Sequence, residues 1–465
     1  MGITSAKTAY VWLAVFGWMN VVGTVWAQDA ERTVRSYESA HDGIVAVEEI
    51  ATGEAEGNGN IPVAGSIYSP IDPRQTFDAG YDNGMFLRVK KNNDSFELKA
   101  IFRSLFRLVS FSRNDDTWTD NAGVVRPIED RQNFELSRAR VIFSGHALTP
   151  QCRFFMQMDG NTDSGTAVSL IDAWTAWHFS DAFEIQAGQR KVPGGRNWLL
   201  GAFDTRLADR AFSNEFFRPS RTTGVWFVGD PTDDTHYELM IGQGFNTQGL
   251  APSETGNNFA AGGTAWWDAV GDYGAARPGD FEIHKDPAVR IGSSWVSATA
   301  GTPGRQSVEA DFLRLTDGTR LTDPGALAPG AKVEGFDVTL MAIDAAFKYR
   351  GWSANGEYFW RSVTDLKANL PVPEVGRQQG FYVEGGFFVL PQQLELNSQF
   401  AYVTGKQKST SSYATGFSYY PRKSQNFKFT IDATLIDGSP ANSPGSDVLV
   451  GDDGVLVRAQ WQVVF

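Results

Sequence analysis

Between residue 84 and residue 465 one pattern recurs: segments of about 9 to 13 residues in which apolar and polar side chains alternate, the length a tilted strand needs to cross a bilayer. In 96–108, Phe96, Leu98, Ala100, Phe102, Phe106 and Leu108 share one face, while Glu97, Lys99, Arg103 and Arg107 share the other. Segment 426–436 repeats this, with Phe427, Phe429, Ile431, Ala433 and Leu435 opposed to Asn426, Lys428, Thr430, Asp432 and Thr434. A soluble sandwich alternates in the same way, so the joins between segments must decide. Those at 146–150, 180–182, 231–234, 350–351, 391–393 and 421–424 are short. Those at 114–132, 159–167, 193–221, 245–258, 363–380, 405–411 and 437–454 are long and polar. Tight turns at one end and elaborate loops at the other belong to a strand barrel that spans an outer membrane.

Strands placed near residues 95, 133, 151, 168, 183, 222, 235, 259, 288, 338, 353, 380, 394, 412, 425 and 454 make sixteen. The fold expected is therefore all-β: an antiparallel transmembrane β-barrel of about 16 strands with an inward-folded constriction loop. A further strand at 308–315 would point toward 18, and 269–287 is long for a periplasmic turn. In the last strand Val455, Val457, Ala459, Trp461, Val463 and Phe465 share an apolar face ending on an aromatic residue, like the C-terminal signal read by the barrel-assembly machinery. Closure of the ring would leave no unpaired edge in lipid.

The chain divides into three regions. Residues 1–27, with Lys7 before an apolar stretch and small residues around Ala27, read as a secretory signal peptide. Residues 28–83, acidic and rich in Gly and Ala, read as a flexible periplasmic lead-in, and 84–465 as the barrel. The locality implied is the outer membrane of a Gram-negative-type bacterium. A formal charge of -13 argues against nucleic acid as a partner, and Cys152, the one cysteine, excludes an intrachain disulfide. No cofactor or metal is called for. The five histidines lie far apart without metal-ligand spacing, no nucleophile elbow or phosphate loop occurs, and the turn 159–165 lacks the acidic twelfth residue of a calcium loop. A channel rather than an enzyme is expected.

A sixteen-stranded ring is too wide for its own side chains to pack shut, so selectivity requires a constriction. Segment 193–221 is the candidate. From 190 to 221 stand Arg190, Lys191, Arg196, Arg206, Arg210, Arg218 and Arg221 against only Asp204, Asp209 and Glu215. Guanidinium groups match the oxygens of phosphate and carboxylate, and a wet pore keeps each site weak enough to release its ion. Lys99, Arg103, Arg138 and Arg140 continue a basic track on the polar phase of their strands, with Arg153, Arg290, Lys348, Arg361, Lys428 and Arg458 beyond them. Glu97, Asp172, Glu357, Glu384, Glu395 and Asp432 share that phase, so a field across the pore and plain ion pairing both remain open.

Several phrases resemble the phosphate-selective porin O and P family. They are Phe96-Glu97-Leu98-Lys99, Phe134-Glu135-Leu136-Ser137-Arg138-Ala139-Arg140, Leu170-Ile171-Asp172-Ala173-Trp174, Gly188-Gln189-Arg190-Lys191-Val192-Pro193, Arg221-Thr222-Thr223-Gly224-Val225 and Gly380-Phe381-Tyr382-Val383-Glu384-Gly385-Gly386. The resemblance implies a homotrimeric outer-membrane channel passing phosphate, polyphosphate or other small anions by diffusion, with outer-membrane lipid and the assembly machinery as partners. Ser137 and Ser418 depart from that pattern. A general or sugar-preferring porin is the alternative.

Overall fold

The computed structural model describes residues 75–91, 94–162, 168–255, 258–301 and 304–465. The expected signal peptide, and the lead-in up to residue 74, lie outside the described residues. The first strands are β1 (Gln75–Tyr81), β2 (Met85–Lys91), β3 (Asp94–Arg113), β4 (Thr117–Thr119), β5 (Val125–Pro127), β6 (Arg131–His146), β7 (Cys152–Gly160), β8 (Val168–Ser180), β9 (Phe183–Lys191) and β10 (Arg221–Thr232). They continue with β11 (Thr235–Gly242), β12 (Phe259–Val270), β13 (Ala288–Gly301), β14 (Val333–Tyr349), β15 (Trp352–Ala368), β16 (Gly376–Leu390), β17 (Leu394–Thr404), β18 (Ser409–Tyr419), β19 (Phe427–Asp437) and β20 (Gly454–Val464).

β3 pairs with β6, each strand from β6 onward pairs antiparallel with the next, and β20 returns to β3. Sixteen strands thus close a ring. At the seam Gly454 lies opposite Arg113 and Gln460 opposite Arg107. Phe102 and Phe465 finish it by exchanging main-chain hydrogen bonds of 2.6 and 2.9 Å. Each expected strand position falls on or beside an observed strand. Two additional strands of the same sheet occur at β1 and β2, whose hairpin extends the first residues of β3, with Met85 opposite Ala100 and Lys91 opposite Asp94. Segment 308–315 is no strand: it holds a 3-10 turn at Glu309–Asp311 and buries Ala310, Leu313 and Leu315. Its alternation reflects one face sinking into the barrel, without a partner strand to pair with.

Facing lipid, Ile343, Val383 and Leu396 are exposed, while their neighbours Asp344, Glu384 and Glu395 point inward and are buried. The fold is a membrane-spanning barrel of the outer-membrane type. Its interior departs from an open cylinder. Toward the long-loop end, Val296, Ala298, Val338, Leu340, Phe359, Val363, Ala401 and Val403 belong to one buried apolar cluster with Phe212, Phe216, Phe217, Leu313 and Leu315. The last five come from the segments joining β9 to β10 and β13 to β14. Loops therefore supply the volume that wall side chains alone could not, and side chains buried this fully contribute roughly 1.5–3 kcal/mol each.

Candidate permeation site

Segment 192–220 carries two short helices, α1 (Arg196–Leu199) and α2 (Phe212–Phe217). α1 is seated by a wall carboxylate: Glu357 on β15 accepts hydrogen bonds from the main-chain N–H groups of Arg196 (2.8 Å) and Asn197 (3.2 Å). These are helix N-terminal donors with no partner inside the helix, and a carboxylate suits them. Gly195 just before it has φ 156°, and a Cβ there would meet Glu357 Oε1 at 2.5 Å, so this approach requires glycine. α2 is held by packing, with the Phe217 ring stacked 5.3 Å from Phe359.

The basic residues of this segment divide into two groups. Arg206, Arg210 and Arg221, with Arg138 on the wall, are buried and bound to protein acceptors. Arg206 donates to Glu395 Oε1 at 2.7 Å, Ser353 Oγ at 3.0 Å and the Pro278 carbonyl at 3.1 Å. Arg210 donates to the carbonyls of Asn197 and Leu200. Arg221 forks onto Asp172 at 2.9 and 3.2 Å. Arg138 and Arg107 both reach Asp209, at 2.8 and 3.3 Å. Burial works to raise the Asp209 carboxyl, but these guanidinium groups hold it below the usual carboxylate range. Burial also lowers Arg210, to about 10, against the pull of Glu215 and Asp209.

Lys99, Arg103, Arg140, Arg196 and Arg218 retain solvent exposure. Arg140 pairs with Asp159 at 2.9 Å and Arg218 with Glu215 at 2.9 Å. Arg196 meets Asp344 at 3.4 Å and donates to Tyr273 Oη at 3.1 Å. Among the described residues Lys99 and Arg103 form no ion pair. Arg153 and Arg190, on the same arc of wall, pair with Glu184 (3.0 Å) and Glu238 (2.7 Å). The arc from β3 to β10 thus carries more positive than negative charge toward water. The arc from β14 to β17 is acidic, with Asp344, Glu357, Glu384 and Glu395 answered chiefly by Arg196 and Arg206.

Two aromatic residues organise the basic side and went unnoticed in the sequence. Trp198 lies beneath Lys191 (4.8 Å), Arg210 (5.7 Å), Arg218 (4.4 Å) and Arg221 (5.4 Å). Phe203 lies beneath Arg103 (5.6 Å) and Arg140 (5.8 Å). A ring face attracts cations and competes for no hydrogen bond, which lets several like charges gather. The signal available was an aromatic residue every few positions within an arginine-rich run. The remaining wall cations serve the scaffold. Lys348 binds the carbonyls of Tyr273 and Ala275, Lys428 that of Thr205, and Arg361 that of Phe216, while Arg290 and Arg458 pair with Asp268 and Asp432.

Asp280, Glu282 and His284 stand within 4.8 Å of one another. Both ring nitrogens of His284 are already engaged, Nδ1 with Asp280 at 2.5 Å and Nε2 with the Asp272 carbonyl at 3.0 Å. The trio therefore pins a turn and offers no free imidazole to a metal.

The sequence pattern of a family described as phosphate-selective porin O and P matches residues 113–465. No curated protein matches the chain. Among solved structures, OmpF of Salmonella typhi in complex with daunomycin is similar with a TM-score of 0.50 and 14% identity, over 83% of this chain and 100% of that one. An anion-selective porin from Comamonas acidovorans is similar with a TM-score of 0.50 and 10% identity, over 79% and 99%. At such identity these likenesses concern the fold.

Proposed function

Because the chain belongs to the phosphate-selective porin O and P family, we propose that it is a passive outer-membrane diffusion channel in which small anions are preferred over cations. The observation that carries this reading is the pair Lys99 and Arg103, part-exposed on the lumen wall and in no ion pair among the described residues, with Asp204 acting on Arg103 only from a distance. Arg140 lies opposite Arg103 in the β3–β6 register, and Arg196 and Arg218 elsewhere on the inward loop also keep exposed edges. An anion near these groups exchanges part of its hydration for guanidinium and ammonium donors, without chemistry and without energy input. Phosphate and polyphosphate are the narrower reading, favoured by family membership. The burial of Arg206, Arg210 and Arg221 favours the broader one, a general channel biased toward anions, because those groups are shielded from solute and committed chiefly to protein acceptors. Assembly as a homotrimer, with lipid and the assembly machinery as partners, belongs to the same proposal.

Replacing Lys99, Arg103 and Arg140 together by Gln is expected to lower the anion-to-cation permeability ratio by about a hundredfold, since three unit charges near water at roughly 1 kcal/mol each at contact sum to about 3 kcal/mol and every ~1.4 kcal/mol is a factor of ten. Reversal potential across a salt gradient in planar bilayers reads this, and an unchanged potential rejects the assignment. Phosphate and an oligosaccharide added separately to a chloride current distinguish the narrower reading from a sugar-preferring porin, according to which one blocks.

A further inference from the structure

The connection between β12 and β13, residues 271–287, is on the side of the tight turns yet is far longer than its neighbours. It does not hang in solvent. Tyr273, Pro278, Gly279, Asp280 and Phe281 are buried. The chain crosses under the ends of the strands that come after it. Asp280 Oδ2 accepts the N–H of Gly351, between β14 and β15, at 2.7 Å. Gln392, between β16 and β17, donates to the Phe281 carbonyl at 2.6 Å. The Phe281 ring packs edge-on against Phe388 (4.9 Å) and Tyr420 (4.8 Å). At its inner edge the segment meets the constriction loop itself, where the Pro278 carbonyl accepts from Arg206 and Tyr273 Oη from Arg196.

We propose that this strap is a fixed internal wall of the channel. It closes the part of the lumen beneath β13 to β18 from the periplasmic side and fixes the constriction loop through Arg206, so that solute passes only along the wall of β3 to β10. Three observations converge on this. Toward the outside, the buried apolar cluster draws most of its wall residues from β13 to β17, with Val109, Phe111 and Trp226 as smaller contributions from β3 and β10. The joint between strap and loop is dry, since Arg206 and its partners Ser353 and Glu395 are buried. Lys99 and Arg103, without ion-pair partners among the described residues, are on the opposite arc. Arg206 is accordingly a positioning residue: it does not meet solute but keeps loop and strap in register, which decides where the opening lies. The inference rests on the channel reading above and adds the course of the passage.

Cysteine accessibility tests it in the full-length barrel, with Cys152→Ser as background and a negatively charged, water-soluble methanethiosulfonate as probe. Ser144→Cys, on the open arc, should react quickly and reduce the current. Ser353→Cys and Asn355→Cys, behind the strap, should react about a hundredfold more slowly, because a buried thiol is reached only through local opening. Shortening 272–286 to a two-residue turn should abolish that protection, heat-modifiable migration on gels showing that the barrel still folds. Equal reactivity at all three sites in the intact strap overturns the proposal, as does protection that survives removal of the strap. Failure of the anion reading is distinguishable: modification at Ser144→Cys would then leave the reversal potential unmoved while the protection pattern persists.

Discussion

The two arcs of this barrel use the same residue types for opposite ends. On β14 to β17 inward charges are held dry, some by ion pairs and some by neutral groups: Glu395 by Arg206, Asp344 by Arg196, Glu357 by main-chain N–H groups at the start of α1, and Arg361 by Gln378 and the Phe216 carbonyl. On β3 to β10 several cations gather over Trp198 and Phe203, and Lys99 and Arg103 form no direct ion pair among the described residues. What separates the arcs is the company of loops. Where a charge is buried by loops or strap it must be paired or hydrogen-bonded because water is gone, and this holds for Arg107, Arg138 and Arg221 on the first arc too; where a cation such as Lys99 keeps contact with water, screening lets it stand without an ion pair.

The largest effect that sharpens this contrast is expected at the dry joint. Arg206→Met leaves Glu395 and Glu384 without their cation, and removing one partner of a buried pair costs about 3–5 kcal/mol. The temperature at which the barrel loses its heat-modifiable band should fall sharply, whereas Lys99→Met should barely move it. Next, Leu340→Ala, in the apolar filling, should cost about 2–5 kcal/mol and loosen the loop packing. Single-channel recording should show noisier current without reversal of its ion preference; a reversed preference would mean that solute also crosses the filled arc. A smaller effect comes from screening. Raising ionic strength from 0.1 to 1 M shortens the Debye length from about 10 to about 3 Å, so anion preference carried by exposed cations should decline steadily with salt. Preference independent of salt would place the deciding charges in the dry arc instead.

The smallest effect concerns Glu309, in the outer segment between β13 and β14, which is buried. Its carboxylate accepts from the Asn246 N–H at 2.7 Å and from Asn258 Nδ2 at 2.5 Å, and burial raises its pKa from 4.5 to about 7 despite those bonds. Folding then favours the protonated form. The stabilisation is complete below pH 4.5 and is lost as pH rises through about 7, so docking of this loop onto the segment before β12 should weaken above neutrality. Limited proteolysis should cut the outer loops faster at pH 8 than at pH 5, and Glu309→Gln should flatten that dependence.

The strands were legible because alternation and turn length are local properties. The inward folding of segment 192–220 was legible as well, since an arginine-rich run in an acidic chain needs no partner to be noticed. Which arginines face water was not. Arg206 and Glu395, or Arg107 and Asp447, are far apart in the chain, and only the closed ring brings them together. The filling of the lumen left a faint trace: around Leu340, both faces of the strand become apolar, as they do when neither face meets water. The strap was visible only as excess length at 269–287.

The seating of α1 on Glu357 has an evolutionary corollary. A finger nailed down at its knuckles cannot drift, so variation in what such a pore admits must accumulate in the bare rungs opposite, where a single codon retunes the sieve and the architecture pays nothing.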